Sequence, residues 1–227
     1  MRMRLSTWLG SAAAVLQKDL RAELRSRYSL NALLMFAGTT LVIISVSLMQ
    51  VKLSEKALAA LYWIAIFFSA VTSLFNVFSR EEDKGTAQTL QLFARPAVIY
   101  VGKLFFNTLL LFILCGLLTP LYLAFMNVTQ ANWGLLIAVT ILGTIGLAGG
   151  TTIIGAMVAK AAVRGALFGV LSFPVLLPLL LVAIGGTEAA LAQESWSVAA
   201  DQLRLLVAYD VIVITLSLVL FDYVWKS

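Results

Sequence analysis

The chain has 227 residues, of which 61% are hydrophobic and only 12% charged, with a mean hydropathy of +0.98; a soluble domain carries about 25% charged residues. The 16 Lys and Arg outnumber the 11 Asp and Glu, but they flank apolar runs and form no patch interleaved with aromatics, so nucleic acid is excluded as a partner. One cysteine, Cys115, and no histidine rule out an intrachain disulfide and leave no ligand set for zinc or an iron–sulfur cluster.

The first element is expected over residues 8–29. Trp8, Ala12, Leu16, Leu20, Leu24 and Tyr28 recur every fourth residue, and Lys18, Arg21 and Arg25 fall on another face. This pattern predicts an amphipathic helix lying in the membrane surface, basic side toward the headgroups. Its Asp19–Glu23 pair is repulsive at i,i+4 and its Glu23–Arg27 pair attractive. Met1-Arg2-Met3-Arg4 before Leu9–Leu16 has the outline of a signal peptide, but the apolar stretch is short and contains Gly10 and Ser11.

Six apolar runs follow, each long enough to cross a bilayer, which takes about 20 residues. They lie at Leu30–Val51, Ala57–Phe78, Val101–Met126, Trp133–Ala159, Ala162–Gly185 and Leu203–Val224. Their continuity argues against a β-barrel, whose strands alternate in short segments. The fold class is therefore an all-α integral membrane protein, with an N-terminal interfacial helix (1–29) and one six-helix domain (30–227). Trp63, Trp133, Trp196 and Trp225 are expected at membrane interfaces.

The basic residues orient the spans. Six lie in the N-terminal segment, four between spans 2 and 3 (Arg80, Lys84, Arg95, Lys103), two between spans 4 and 5 (Lys160, Arg164) and one at Lys226. These alternate gaps hold 13 of the 16; the others hold only Lys52, Lys56 and Arg204. By the positive-inside rule both termini are cytoplasmic.

Few residues are left for chemistry. The connection at 79–100 is the longest on the cytoplasmic side, with an acidic lead-in of Glu81, Glu82 and Asp83. Gly85-Thr86 then starts a short helix that Pro96 stops, exposing Leu90 and Phe93. Two readings stand side by side: a helix that docks on a cytoplasmic partner, and a solvated loop against the membrane. Span 4 carries Gly143, Gly146, Gly149, Gly150 and Gly155, and span 5 Gly165 and Gly169, all read as helix-packing positions. No Lys-Ser/Thr follows these glycines, so they form no phosphate loop. Pro174 and Pro178 should kink span 5, freeing the carbonyls of Val170 and Pro174, either as static shape or as a hinge. Asp210 is the one acid well inside a span; it is expected to pair with a neighbouring helix or subunit, or to line a pathway.

The stretch Phe78-Ser-Arg-Glu-Glu-Asp-Lys-Gly85-Thr-Ala-Gln-Thr-Leu90, closing at Pro96, resembles the cytoplasmic loop of CcmB-type permeases, the haem exporter protein B family of cytochrome c maturation. The likeness continues in Leu142-Gly143-Thr144, in Gly155-Ala156 and in Pro174-Val-Leu-Leu-Pro178. The resemblance implies the transmembrane subunit of an ABC-type haem exporter in the bacterial inner membrane. Its partners would be a cytoplasmic ABC ATPase that supplies the ATP site, a haem-handling membrane protein, a second copy of itself and the surrounding bilayer. The segment at 86–95 would be the coupling helix, haem the cargo, and no cofactor is assigned to the chain. Two rivals are a permease for another small-molecule or lipid-like cargo and a scaffold subunit that moves nothing. A membrane-embedded enzyme needs convergent catalytic groups, whereas Glu81, Glu188 and Asp210 lie at different depths.

Overall fold

The computed structural model describes residues 5–48, 53–74, 85, 95–159, 161 and 163–226. Among these residues all regular structure is helical: α1 (Leu5–Ser26), α2 (Tyr28–Leu48), α3 (Glu55–Leu74), α4 (Pro96–Phe125), α5 (Trp133–Val158), α6 (Arg164–Leu191) and α7 (Ala200–Lys226). Helices α3 to α7 are long and apolar enough to cross a membrane. In α2 the apolar part among the described residues is the shorter Leu34–Leu48; the rest of the expected run, to Val51, lies outside them.

Helix α5 is the centre of the bundle. It packs most extensively on α6 and α7, then on α4 and α3. Of its apolar window 72% is buried, against 17% for α7. Its six glycines and four threonines make this possible, since small side chains let neighbouring backbones come close on several faces. The main core joins α3, α4, α5 and α6. A second cluster closes one end of the bundle, where Ile99, Tyr100, Ile153, Ile154, Phe168, Phe221 and Trp225 meet. There Phe221 stacks on Trp225 with ring centroids 5.4 Å apart.

At the opposite end α4 and α6 stop in the same way. Asn127 (φ 53°) and Gln193 (φ 58°) take the left-handed conformation just past each helix. The next residue's amide then donates back to the helix, Val128 N to Leu123 O and Glu194 N to Ala189 O, each at 2.9 Å. Asn132 caps α5, its Oδ1 accepting from Leu135 N at 3.2 Å, and its Nδ2 donates to Glu194 O at 2.9 Å. The α4–α5 and α6–α7 connections are thereby stapled together.

Three expectations are corrected. Pro96 opens α4 at its first turn, a position where its missing N–H has no intrahelical role, so α4 begins five residues before the expected start of its span; the short helix that Pro96 was expected to stop lies outside the described residues. Trp63 does not face outward as a belt residue would: it is 0% exposed in the bundle interior. Trp225 is also buried, whereas Trp133 and Trp196 are exposed at the stapled end.

Candidate functional site

The interior polar groups form a ladder between α4 and α5. Along α4, Lys103, Asn107, Leu111, Cys115 and Thr119 recur every fourth residue and so share one face. Along α5, Thr140, Thr144, Ala148 and Thr152 do the same in the opposite direction. Asn107 Nδ2 donates to Thr152 Oγ1 at 2.7 Å, and the Cys115 sulfur lies 3.4 Å from Thr144 Oγ1. The Tyr62 hydroxyl from α3 joins the last rung, 2.8 Å from Thr119 Oγ1 and 3.2 Å from Thr140 Oγ1. Thr151 and Thr152 hydroxyls also donate to carbonyls one turn back, which keeps them satisfied in an apolar interior. The upper rungs border an apolar groove of about 450 Å³, open on the side and lined by Phe112, Gly116, Pro120, Trp133 and Ile137 among others.

The other faces of α5 meet α3, α6 and α7 through glycine. A Cβ on Gly143 would stand 2.2 Å from the Trp63 ring, and one on Gly150 2.5 Å from Leu176. The indole of Trp63 is held by its N–H, which donates to Thr187 Oγ1 at 2.8 Å. A Cβ on Gly146 would lie 2.5 Å from Asp210 Oδ1 and 2.7 Å from Leu179. Asp210 is 6% exposed, and its Oδ1 has no hydrogen-bond partner among the described residues. The acid thus sits inside the bundle where α7 crosses α5. Gly165 and Gly169 differ: a Cβ at either would meet nothing within 4 Å.

Pro174 and Pro178 are exposed, and α6 runs through both from Arg164 to Leu191. Beside them the Tyr209 hydroxyl of α7 donates to the carbonyl of Val175 at 2.8 Å. The carbonyl that gains this tie is one residue beyond Pro174, whose own carbonyl was expected to need it. Of the connection at 79–100, Glu81, Glu82, Asp83, Leu90 and Phe93 lie outside the described residues. Gly85 stands in a turn with φ 64°, a conformation that favours glycine. Arg95 is extended (φ −69°, ψ 144°), as the residue before a proline should be, and leads into Pro96.

Sequence reasoning missed the ladder and the burial of Lys103. The four-residue spacing of Lys103, Asn107, Cys115 and Thr119 was the signal that could have found both.

A family model described as CcmB protein matches residues 11–222. The chain belongs to the CcmB family. No curated protein matches it. CcmB membership identifies a membrane component of ABC-type haem transport in cytochrome c biogenesis. The family match extends from α1 into α7, so the ladder and the Asp210 contact both lie within it.

Proposed function

We infer that this CcmB-family chain is the permease subunit of an ABC haem exporter, crossing the inner membrane six times with both termini in the cytoplasm. The observation that carries the topology is the sorting of charge. The N-terminus, the 79–100 connection with the adjoining Lys103, the α5–α6 connection and the C-terminus hold 13 of the 16 basic residues. The aromatic cluster of Tyr100, Phe221 and Trp225 brings the ends of α4 and α7 together at that same end. In this reading α2 crosses as well and brings the number of spans to six. α1 rests in the cytoplasmic headgroup layer with Arg21 and Arg25 exposed to anionic lipid.

The connection at 79–100 is the natural grip for a separate cytoplasmic ATPase. An acidic lead-in, the left-handed turn at Gly85, and Leu90 and Phe93 as apolar knobs suit docking into a groove. Arg95, extended, leads directly into Pro96 at the start of α4. Movement of the ATPase would tilt α3 and α4, and the hydrogen-bonded ladder would carry the tilt to α5. Haem is cargo in this scheme, handled on the outer side beside a second haem-handling membrane protein, and two copies of the permease would sit on two ATPase subunits. No axial ligand is assigned in a chain that has no histidine.

The test is co-purification. The chain should hold a soluble ABC ATPase, and Phe93→Asp should release it while the permease stays folded. Full retention of the ATPase by that variant would refute the docking role. Labelling a cysteine at position 85 from outside intact cells would refute the topology.

A further inference from the structure

Lys103 lies about two turns after Pro96 on α4 and is 0% exposed. Its Nζ stands 3.4 Å from Asp19 Oδ2 on α1, whose side chain is 12% exposed. Glu23, one turn further along the same face of α1, is 0% exposed. At the preceding residue of α4, Gly102, the two helices pack closely. A Cβ there would lie 2.7 Å from Val15 Cβ and 3.0 Å from the carbonyl oxygen of Ala12. So Asp19 of α1 turns onto α4, where a buried ammonium group meets it, and Glu23 one turn on is buried as well.

Adhesion alone does not require this arrangement. Apolar residues of similar volume hold two helices together as well as a buried ion pair or better, because both charges must be stripped of water. What an ion pair adds is register, since the helices cannot slide or rotate past each other without exposing a buried charge. The same end of α4 is joined through Arg95 to the 79–100 connection. The geometry points to Lys103 as a positioning residue for coupling: with Asp19 and Glu23 it clamps α1 to the first turns of α4, so that both helices move as one body with the segment the ATPase grips. This rests on the reading of 79–100 as the coupling segment.

The test uses the full-length permease in lipid nanodiscs, with Cys115→Ser as background and spin labels at two exposed positions, Arg21→Cys on α1 and Phe105→Cys on α4. The distance distribution between the labels should be narrow and should shift by less than about 2 Å when ATPase and nucleotide are added. Lys103→Met should broaden it, and Lys103→Arg should keep it narrow. In the assembled complex, Lys103→Met should retain the ATPase but lose at least about fivefold of the permease-dependent change in ATP hydrolysis, with Lys103→Arg restoring it. A distribution equally narrow in Lys103→Met, or a nucleotide-driven shift of several ångströms in the unaltered protein, would overturn the clamp. The distance measurement on the permease alone needs no ATPase. An unaltered permease that binds no ATPase therefore sinks the coupling reading separately.

Discussion

Replacing Gly143 by alanine tests the packing of the bundle where it is tightest. The new methyl would start 2.2 Å from Cη2 of Trp63, with Cζ2 at 2.8 Å and Cζ3 at 3.0 Å, whereas ordinary contact begins near 3.4 Å. The ring must therefore retreat by roughly 1 Å, and it has no free side to move into because Trp63 is fully buried. Overpacking of this kind costs about 1–3 kcal/mol. The retreat also breaks the 2.8 Å bond from Trp63 Nε1 to Thr187; interhelical hydrogen bonds in membranes contribute about 0.6–1.7 kcal/mol. The sum is a loss of about 2–5 kcal/mol. Thr187→Val, which removes only the acceptor, should lose about 1 kcal/mol. Gly165→Ala, where a Cβ meets nothing within 4 Å of this chain, should be neutral or slightly stabilising. The assay is reversible unfolding of the purified protein in mixed micelles, followed by tryptophan fluorescence and circular dichroism. Equal stability of Gly143→Ala and Gly165→Ala would refute the reasoning, because only the contact with Trp63 separates them.

Gly146→Ala should displace Asp210 and Leu179 and cost about 1–3 kcal/mol, and its effect should be non-additive with that of Asp210→Ala by more than about 0.5 kcal/mol in the same assay. Asn107→Leu removes the 2.7 Å bond to Thr152 and forces a branched side chain into its place; unfolding should show a loss of about 1–2 kcal/mol, and Thr152→Val in that background should add little. Gln193→Gly relieves a left-handed conformation that costs about 1–2 kcal/mol for other residues. It also gives up the 3.0 Å bond to Gln130, so the net gain should be under about 1 kcal/mol, with no change in ATPase binding.

Helix type and most span limits were legible because apolar continuity is a strong signal over 20 or more residues. Trp133 as the start of α5 is an example: Asn132 before it caps the helix with its side chain. The start of α4 was placed five residues late because Pro96 was read only as a stop, although proline also suits the first turn of a helix. Lys103 was counted as an ordinary interfacial charge. Its burial depends on α1 folding back against α4, a contact between residues 84 positions apart that no local pattern reveals. Trp63 is the same case: an indole suits both an interface and an interior polar contact, and the choice was made by Thr187, 124 residues away. The glycines of span 4 were singled out by spacing, yet spacing could not say that one meets a tryptophan and another a carboxylate.

The burial of α5 has a consequence for assembly. A helix enclosed by its own neighbours is an axle without a rim, and it offers little surface to anything outside the chain. A membrane protein that docks laterally meets chiefly α2, α3, α4, α6 or α7, which present large apolar side chains outward, and reaches α5 only at Trp133, Ile137, Ile141 and Met157. Lateral partners can therefore come and go by exchanging with lipid at the periphery, while the inner shaft keeps its glycine contacts unchanged.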